Sequence, residues 1–313
     1  MIEARGLART FRTRAGVVEA VRGIDLDVEE GEIVGFLGPN GAGKTTTLRM
    51  LTTLIAPTAG TARVAGHDLL REPIQVRRRI GYVAQGGCTE PEARVGEELV
   101  DHGRLYGMSA ADAEARGREL LAGLDLEGVW SRQTKTLSGG QRRRLDIAMG
   151  LVHRPRLIFL DEPTSGLDPQ ARANLWQHVR ALRDSRGTTV FLTTHYLEEA
   201  DALCDRILVI DHGEIVAAGA PEELKRRIAG DTVELTLGDD AAAAAAGALL
   251  GGQIEGVLVR LQLPSAVEGL PGVFRALDDA GIVALGVAVH RPTLDDVFLS
   301  LTGHALRDEE VLA

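Results

Sequence analysis

Short apolar runs punctuate the first two thirds of the chain. Residues 33–37, 63–64, 80–83, 157–160, 189–192 and 206–210 read as strands. The continuously apolar ones, 157–160 above all, have the pattern of strands covered on both faces. Helix-compatible stretches lie between them, which predicts an α/β fold with a mostly parallel sheet and crossover connections. Residues 88–135 break this rhythm. There, 92–106 and 110–124 have helical spacing with polar faces, so the segment reads as a helical insertion between sheet elements. A turn at 219–221 and a charged helix at 222–227 close the first part. Beyond Gly230, residues 232–237, 253–263 and 282–290 alternate like strands, while 238–250, 273–280 and 293–301 suit helices. The alanine run 241–246 reads as helix, because alanine has the best helix propensity. The expected organisation is a domain at 1–225 and a small α+β accessory or regulatory domain at 226–313, laid out like a βαβαβ set.

Composition narrows the chemistry. The 313 residues are 44% hydrophobic and 26% charged, an ordinary globular balance that excludes collagen, coiled coil and wholesale disorder. Aromatics are 4% and the net charge is −10, which argues against a nucleic-acid partner. A phosphate ligand stays compatible, since a fixed cluster of donors outweighs distant charges screened beyond ~10 Å. The basic runs 77–79 and 142–144 read as solvated helix faces. Two cysteines, Cys88 and Cys204, form no disulfide framework and suit a reducing compartment as buried or inert thiols. No stretch approaches the ~20 apolar residues that span a bilayer, and Glu3 and Arg5 interrupt any signal-peptide pattern. The expected location is therefore cytoplasmic.

Two constellations carry chemistry. Gly38, Pro39, Asn40, Gly41, Ala42, Gly43, Lys44 and Thr45 fit Gly-x4-Gly-Lys-Thr, preceded by the strand 33–37 and followed by a helix-compatible run from Thr46. Glycines allow successive N–H groups to converge on an anion, and the helix N-terminus adds its dipole. Lys44 supplies charge to the β/γ-phosphates and Thr45 a hydroxyl to Mg²⁺. Asp161 and Glu162 follow the strand 157–160, at the edge where open α/β sheets bind ligands. Asp161 suits Mg²⁺, and Glu162 suits an attacking water. Ser138, Gly139, Gly140 and Gln141, before a helix near Arg142, make a second anion site. Gln85 ends the strand 80–83, and His195 follows a strand at 190–192.

In this order the motifs resemble the ATP-binding subunit of an ATP-binding-cassette transporter, over residues 2–219. The tail ending in Arg291-Pro292-Thr293-Leu294-Asp295-Asp296-Val297-Phe298-Leu299 resembles the daunorubicin-resistance type, which powers drug or antibiotic efflux from bacteria. The resemblance implies a P-loop NTPase cassette using ATP and Mg²⁺. Two cassettes pair head to tail, and each nucleotide is also held by the other subunit's Ser138–Gln141. It implies that His195 contacts the γ-phosphate and supports Glu162, and that Gln85 approaches Mg²⁺ and the water. Asp168 would lie at the dimer seam, and Phe11 would stack on adenine. The partners expected are a second copy and a separate membrane permease, at the cytoplasmic face of the membrane. The competing expectation is a cassette ATPase of DNA repair, chromosome organisation or translation, which the lack of coiled-coil insertions or a second cassette disfavours.

Overall fold

A computed structural model describes residues 1–303 except Ala15 and Ala229; the last ten residues of the expected 226–313 domain lie outside the described residues. The chain forms two compact units, Met1–Gly219 and one beginning at Ala220.

The first unit opens with β1 (Ile2–Thr13) and β2 (Gly16–Val28), a long antiparallel pair that the apolar pattern did not predict. Register shifts between Ala4 and Leu7 and between Arg9 and Thr10 interrupt the period of two, which hid both strands. Then come β3 (Ile33–Leu37), α1 (Lys44–Leu51), β4 (Ala59–Val64), β5 (His67–Asp68), α2 (Pro73–Arg79) and β6 (Ile80–Val83). The insertion holds α3 (Val95–Leu105) and α4 (Ala110–Gly123), and α5 (Gly139–Leu151) follows. The unit ends with β7 (Leu157–Asp161), α6 (Pro169–Arg186), β8 (Thr189–Thr194), α7 (Leu197–Leu203), β9 (Arg206–Asp211) and β10 (Glu214–Gly219).

Its main sheet has the order β10-β9-β3-β8-β7-β6. All neighbours are parallel except β10 against β9. Every residue of β3, β7 and β8 is buried, as expected of strands covered on both faces. A second, antiparallel sheet, β2-β1-β4-β5, adds to the expected single one. Side chains of both sheets share one core, with Ile2, Leu7, Ile24 and Leu26 meeting Phe36, Phe159 and Phe191. The Phe191 ring lies 5.6 Å from Phe36 and 5.7 Å from Phe159.

The second unit runs α8 (Pro221–Ile228), β11 (Asp231–Leu237), α9 (Asp240–Leu250), β12 (Gln253–Glu255), β13 (Leu258–Leu263), α10 (Ala266–Asp279), β14 (Ala284–His290) and α11 (Leu294–Thr302). α8 packs within this unit, against α11. The single strand expected at 253–263 is a hairpin folded about Gly256, whose φ of 60° suits the turn. The layout is therefore βαββαβ with sheet order β12-β13-β11-β14, a ferredoxin-like split βαβ, rather than βαβαβ. Val233, Leu235, Val259 and Leu277 are among its buried core.

Candidate active site

The strand order decides what meets what. β3, β8, β7 and β6 are consecutive neighbours and parallel, so the segments after them leave one edge of the sheet side by side. Those segments carry the phosphate loop, His195, the Asp161-Glu162 pair and Gln85 respectively. Four stretches separated by up to 157 positions, from Gly38 to His195, thus share one site.

The loop Gly38–Gly43 turns tightly between β3 and α1. A Cβ at Gly38 would stand 2.2 Å from the Ile210 carbonyl oxygen, and Gly43 has φ 110°, so neither position admits a larger residue without strain. Asn40 and Gly41 form the exposed tip, while Pro39 and Ala42 are buried. No side chain caps α1 at Gly43, so the helix start, with the N–H groups of Lys44, Thr45 and Thr46, faces the loop. Lys44 is 4% exposed, and its Nζ donates to the carbonyls of Gly38 (2.7 Å) and Pro39 (2.9 Å). This is a cradle for a polyanion: converging N–H donors, a helix N-terminus and a buried ammonium.

The acidic pair divides its work. The Thr45 hydroxyl stands 3.2 Å from Asp161 Oδ1, which also accepts from Thr193 Oγ1 at 2.7 Å. A hydroxyl and a carboxylate so close suit a Mg²⁺ ion whose remaining ligands are phosphate oxygens and water. Among the described residues, no group of three His, Cys, Asp or Glu could hold a metal unaided. Glu162 points elsewhere because its φ of 44° turns the chain into the left-handed region, which is strained for a non-glycine residue. Its N–H is held by Thr193, through the carbonyl at 3.2 Å and the hydroxyl at 3.0 Å. Gln85 Nε2 donates to Glu162 Oε2 at 2.7 Å. His195 Nδ1 lies 3.3 Å from Oε1, and Lys44 Nζ lies 3.8 Å from the same oxygen. Burial alone would push the Glu162 carboxyl up. The neighbouring imidazole of His195, then Lys44 and Arg143, outweigh it and hold it below the usual carboxylate range. Glu162 is therefore an ionised acceptor beside the phosphate loop, able to take a proton.

Ser138, Gly139, Gly140 and Gln141 lie apart from this cluster. α5 starts at Gly139, earlier than the expected start near Arg142, because Ser138 and Gln141 form a reciprocal capping box. Ser138 Oγ accepts from Gln141 N–H at 3.2 Å, and Gln141 Oε1 accepts from Ser138 N–H at 3.1 Å. Ser138 and Gly139 are exposed. This end adjoins α6: a Cβ at Gly140 would meet Ala171 Cβ at 3.3 Å. Asp168, exposed, caps α6 through Ala171 N–H at 2.9 Å. Phe11 sits on β1 opposite Val18, with the Arg9 guanidinium 4.6 Å from its ring.

Sequence reasoning missed Thr193, which ties the two carboxylate-bearing residues together. It also took all of 142–144 for solvated arginines, whereas Arg143 is only 7% exposed. Of the two thiols expected to be buried or inert, Cys204 is buried, while Cys88 is exposed as a residue and its thiol is pushed up to about 12 by burial and by Asp146.

Comparison with known proteins gives the family. A family model described as ABC transporter matches residues 21–165. The daunorubicin resistance ATP-binding protein DrrA3 of Streptomyces coeruleorubidus is 46% identical over 304 residues, covering 95% of each chain. The doxorubicin resistance ATP-binding protein DrrA of Mycobacterium tuberculosis is 42% identical over 312 residues, covering 96% of this chain and 93% of that protein. The Nod factor export ATP-binding protein I of Cupriavidus metallidurans is 41% identical, covering 96% and 98%. A dimeric post-hydrolysis structure of the ATP-binding cassette MJ0796 bound to ADP and Pi superimposes with TM-score 0.65 at 28% identity, covering 70% of this chain and 98% of that one. The chain belongs to the ABC transporter family, as an ATP-binding and ATP-hydrolysing subunit.

Proposed function

We propose that this subunit drives export of a drug or antibiotic through a separate permease, as a homodimer at the cytoplasmic face of the membrane. The observation that carries the catalytic half is the Gln85–Glu162–His195 cluster standing over Lys44. The direction of transport is supported by relatives named for drug resistance and Nod factor export. Repair, chromosome or translation ATPases find no support in those relatives. Among the described residues no helix is long and apolar enough to cross a membrane.

In this reading the loop from Gly38 to Gly43, with the N–H groups of Lys44, Thr45 and Thr46, grips the ATP phosphates. Lys44 neutralises their charge. Mg²⁺, held by Thr45 and Asp161 with Gln85 nearby, would offset charge on the phosphate oxygens. Glu162 accepts the proton of the attacking water, while Gln85 and His195 fix its carboxylate. The signature residues Ser138, Gly139, Gly140 and Gln141 of one copy close over the nucleotide of the other, with Asp168 at the seam and Phe11 against adenine. Binding of ATP thereby becomes association of subunits, and hydrolysis releases them. The unit beyond Gly219 takes an accessory or regulatory role. The test is drug efflux and ATPase activity from cells carrying this chain and its permease. Lys44→Ala is expected to abolish both, and normal efflux in that variant would refute the reading.

A further inference from the structure

Arg143 is the one arginine of the 142–144 run that the helix turns inward. Among the described residues its guanidinium donates to backbone carbonyls. Nε reaches Pro163 O at 2.8 Å, and Nη2 reaches Asp161 O at 2.7 Å and Glu162 O at 3.2 Å. Nη1 reaches Ala84 O at 2.7 Å, the residue just before Gln85. A single planar fork thus spans three consecutive carbonyls of the turn that aims Glu162, and one carbonyl of the segment that aims Gln85. The same helix grips that segment a second time. Asp146 accepts from Cys88 N–H at 3.1 Å, and a Cβ at Gly87 would stand 3.0 Å from Asp146 Oδ2. Asp146 is also the carboxylate facing Arg143, at 4.0 Å.

These contacts explain how a strained turn persists. Glu162 holds a left-handed φ that its own type disfavours, so surrounding bonds must impose it. Thr193 holds its N–H, and Arg143 holds its carbonyl and the carbonyls on either side. Lysine could not substitute in geometry, because a point ammonium lacks the fork that satisfies several carbonyls in one plane.

We propose that Arg143, braced by Asp146, is a positioning residue that sets the contact between Gln85 and Glu162. It touches no substrate. It sits in the second turn of α5, the helix that starts at Gly139 behind the Ser138 cap. The inference rests on reading Glu162 as the base.

The test is steady-state ATPase kinetics of Arg143→Lys in the full-length chain, with thermal melting to confirm folding. Misplacing the base should lower kcat by about 10–100-fold, as expected for an error on the order of 1 Å. KM for ATP should stay within about 3-fold, because a positioning defect spares ground-state binding. Adding Arg143→Lys to Glu162→Gln should lower turnover no further, since both act through one carboxylate. Asp146→Asn, a gentler change that keeps side-chain volume, should give a smaller loss with the same kcat-only signature, and serves if Arg143→Lys does not fold. Wild-type kcat in the folded variant, a loss shared between kcat and KM, or a loss that multiplies in the double variant would each overturn the proposal. Full turnover by Glu162→Gln alone would bring down the reading of Glu162 as base. An inactive Glu162→Gln beside a fully active Arg143→Lys would bring down only this inference.

Discussion

Replacing Glu162 by Gln separates proton transfer from everything else the site does. The change is close to isosteric. Glu162 Oε2 accepts from Gln85 Nε2 at 2.7 Å, and an amide oxygen can still accept that bond. Lys44 loses an ion-pair partner at 3.8 Å but keeps its bonds to the Gly38 and Pro39 carbonyls, so its ammonium is not stranded. The nucleotide cradle therefore survives, and a negative charge leaves the neighbourhood of the phosphates. What disappears is the proton acceptor. General base catalysis contributes about 10²–10⁴-fold, which at ~1.36 kcal/mol per decade is about 2.7–5.4 kcal/mol of barrier. The expected result is a kcat lower by that factor, with ATP affinity unchanged or slightly higher. Phosphate release gives the rate, and equilibrium binding of a fluorescent nucleotide gives the affinity. Turnover within about 3-fold of wild type would show that Glu162 takes no proton in the rate-limiting step. A matching collapse of ATP affinity would show that its charge holds the loop together instead.

Two further outcomes follow from buried ionisable groups. His195 helps keep the Glu162 carboxyl below the usual range, so Glu162 stays ionised until the pH falls through that lowered value. In His195→Ala the acid limb of the residual ATPase activity should therefore move to higher pH, and an unmoved limb would contradict the contact. Glu199 is 0% exposed and its carboxyl is raised by burial, despite bonds that include Trp176 Nε1 at 3.1 Å. Its unfolded form releases the proton first, so stability should fall as pH climbs from the ordinary carboxylate range towards the raised native value. Glu199→Gln should flatten that slope in melting temperature between pH 5 and 8, and parallel curves for variant and wild type would refute it.

Much of the site is legible because its residues follow short apolar strands. Once 33–37, 80–83, 157–160 and 189–192 are read as parallel strands, Lys44, Gln85, Glu162 and His195 must leave the same edge. The strand order that makes them neighbours is not in the local pattern; it comes from tertiary packing. β1 and β2 were invisible because bulges shift the alternation of Ile2, Ala4, Leu7, Val21 and Ile24 out of phase. The hairpin at Gly256 was hidden because the alternation of 253–263 runs through it; the Glu255-Gly256 pair is the turn signal inside that run. Arg143 lies in a run of three arginines whose composition alone matches a solvated helix face. A signal existed: Arg143 stands four residues before Ile147 and seven before Gly150, on the stripe of α5 that faces inward. The strain at Glu162 leaves no mark in the sequence, since nothing about a glutamate announces a positive φ.

The account stands most directly on whether nucleotide joins two copies of this chain, each giving half of the cage. The decisive measurement is the mass in solution of Glu162→Gln with saturating Mg-ATP, by light scattering after size exclusion, with and without a second change, Ser138→Arg. The account predicts a dimer for the first and a monomer for the second, with ATP still bound to its phosphate loop. A monomer in both, or a dimer indifferent to Ser138, would contradict it.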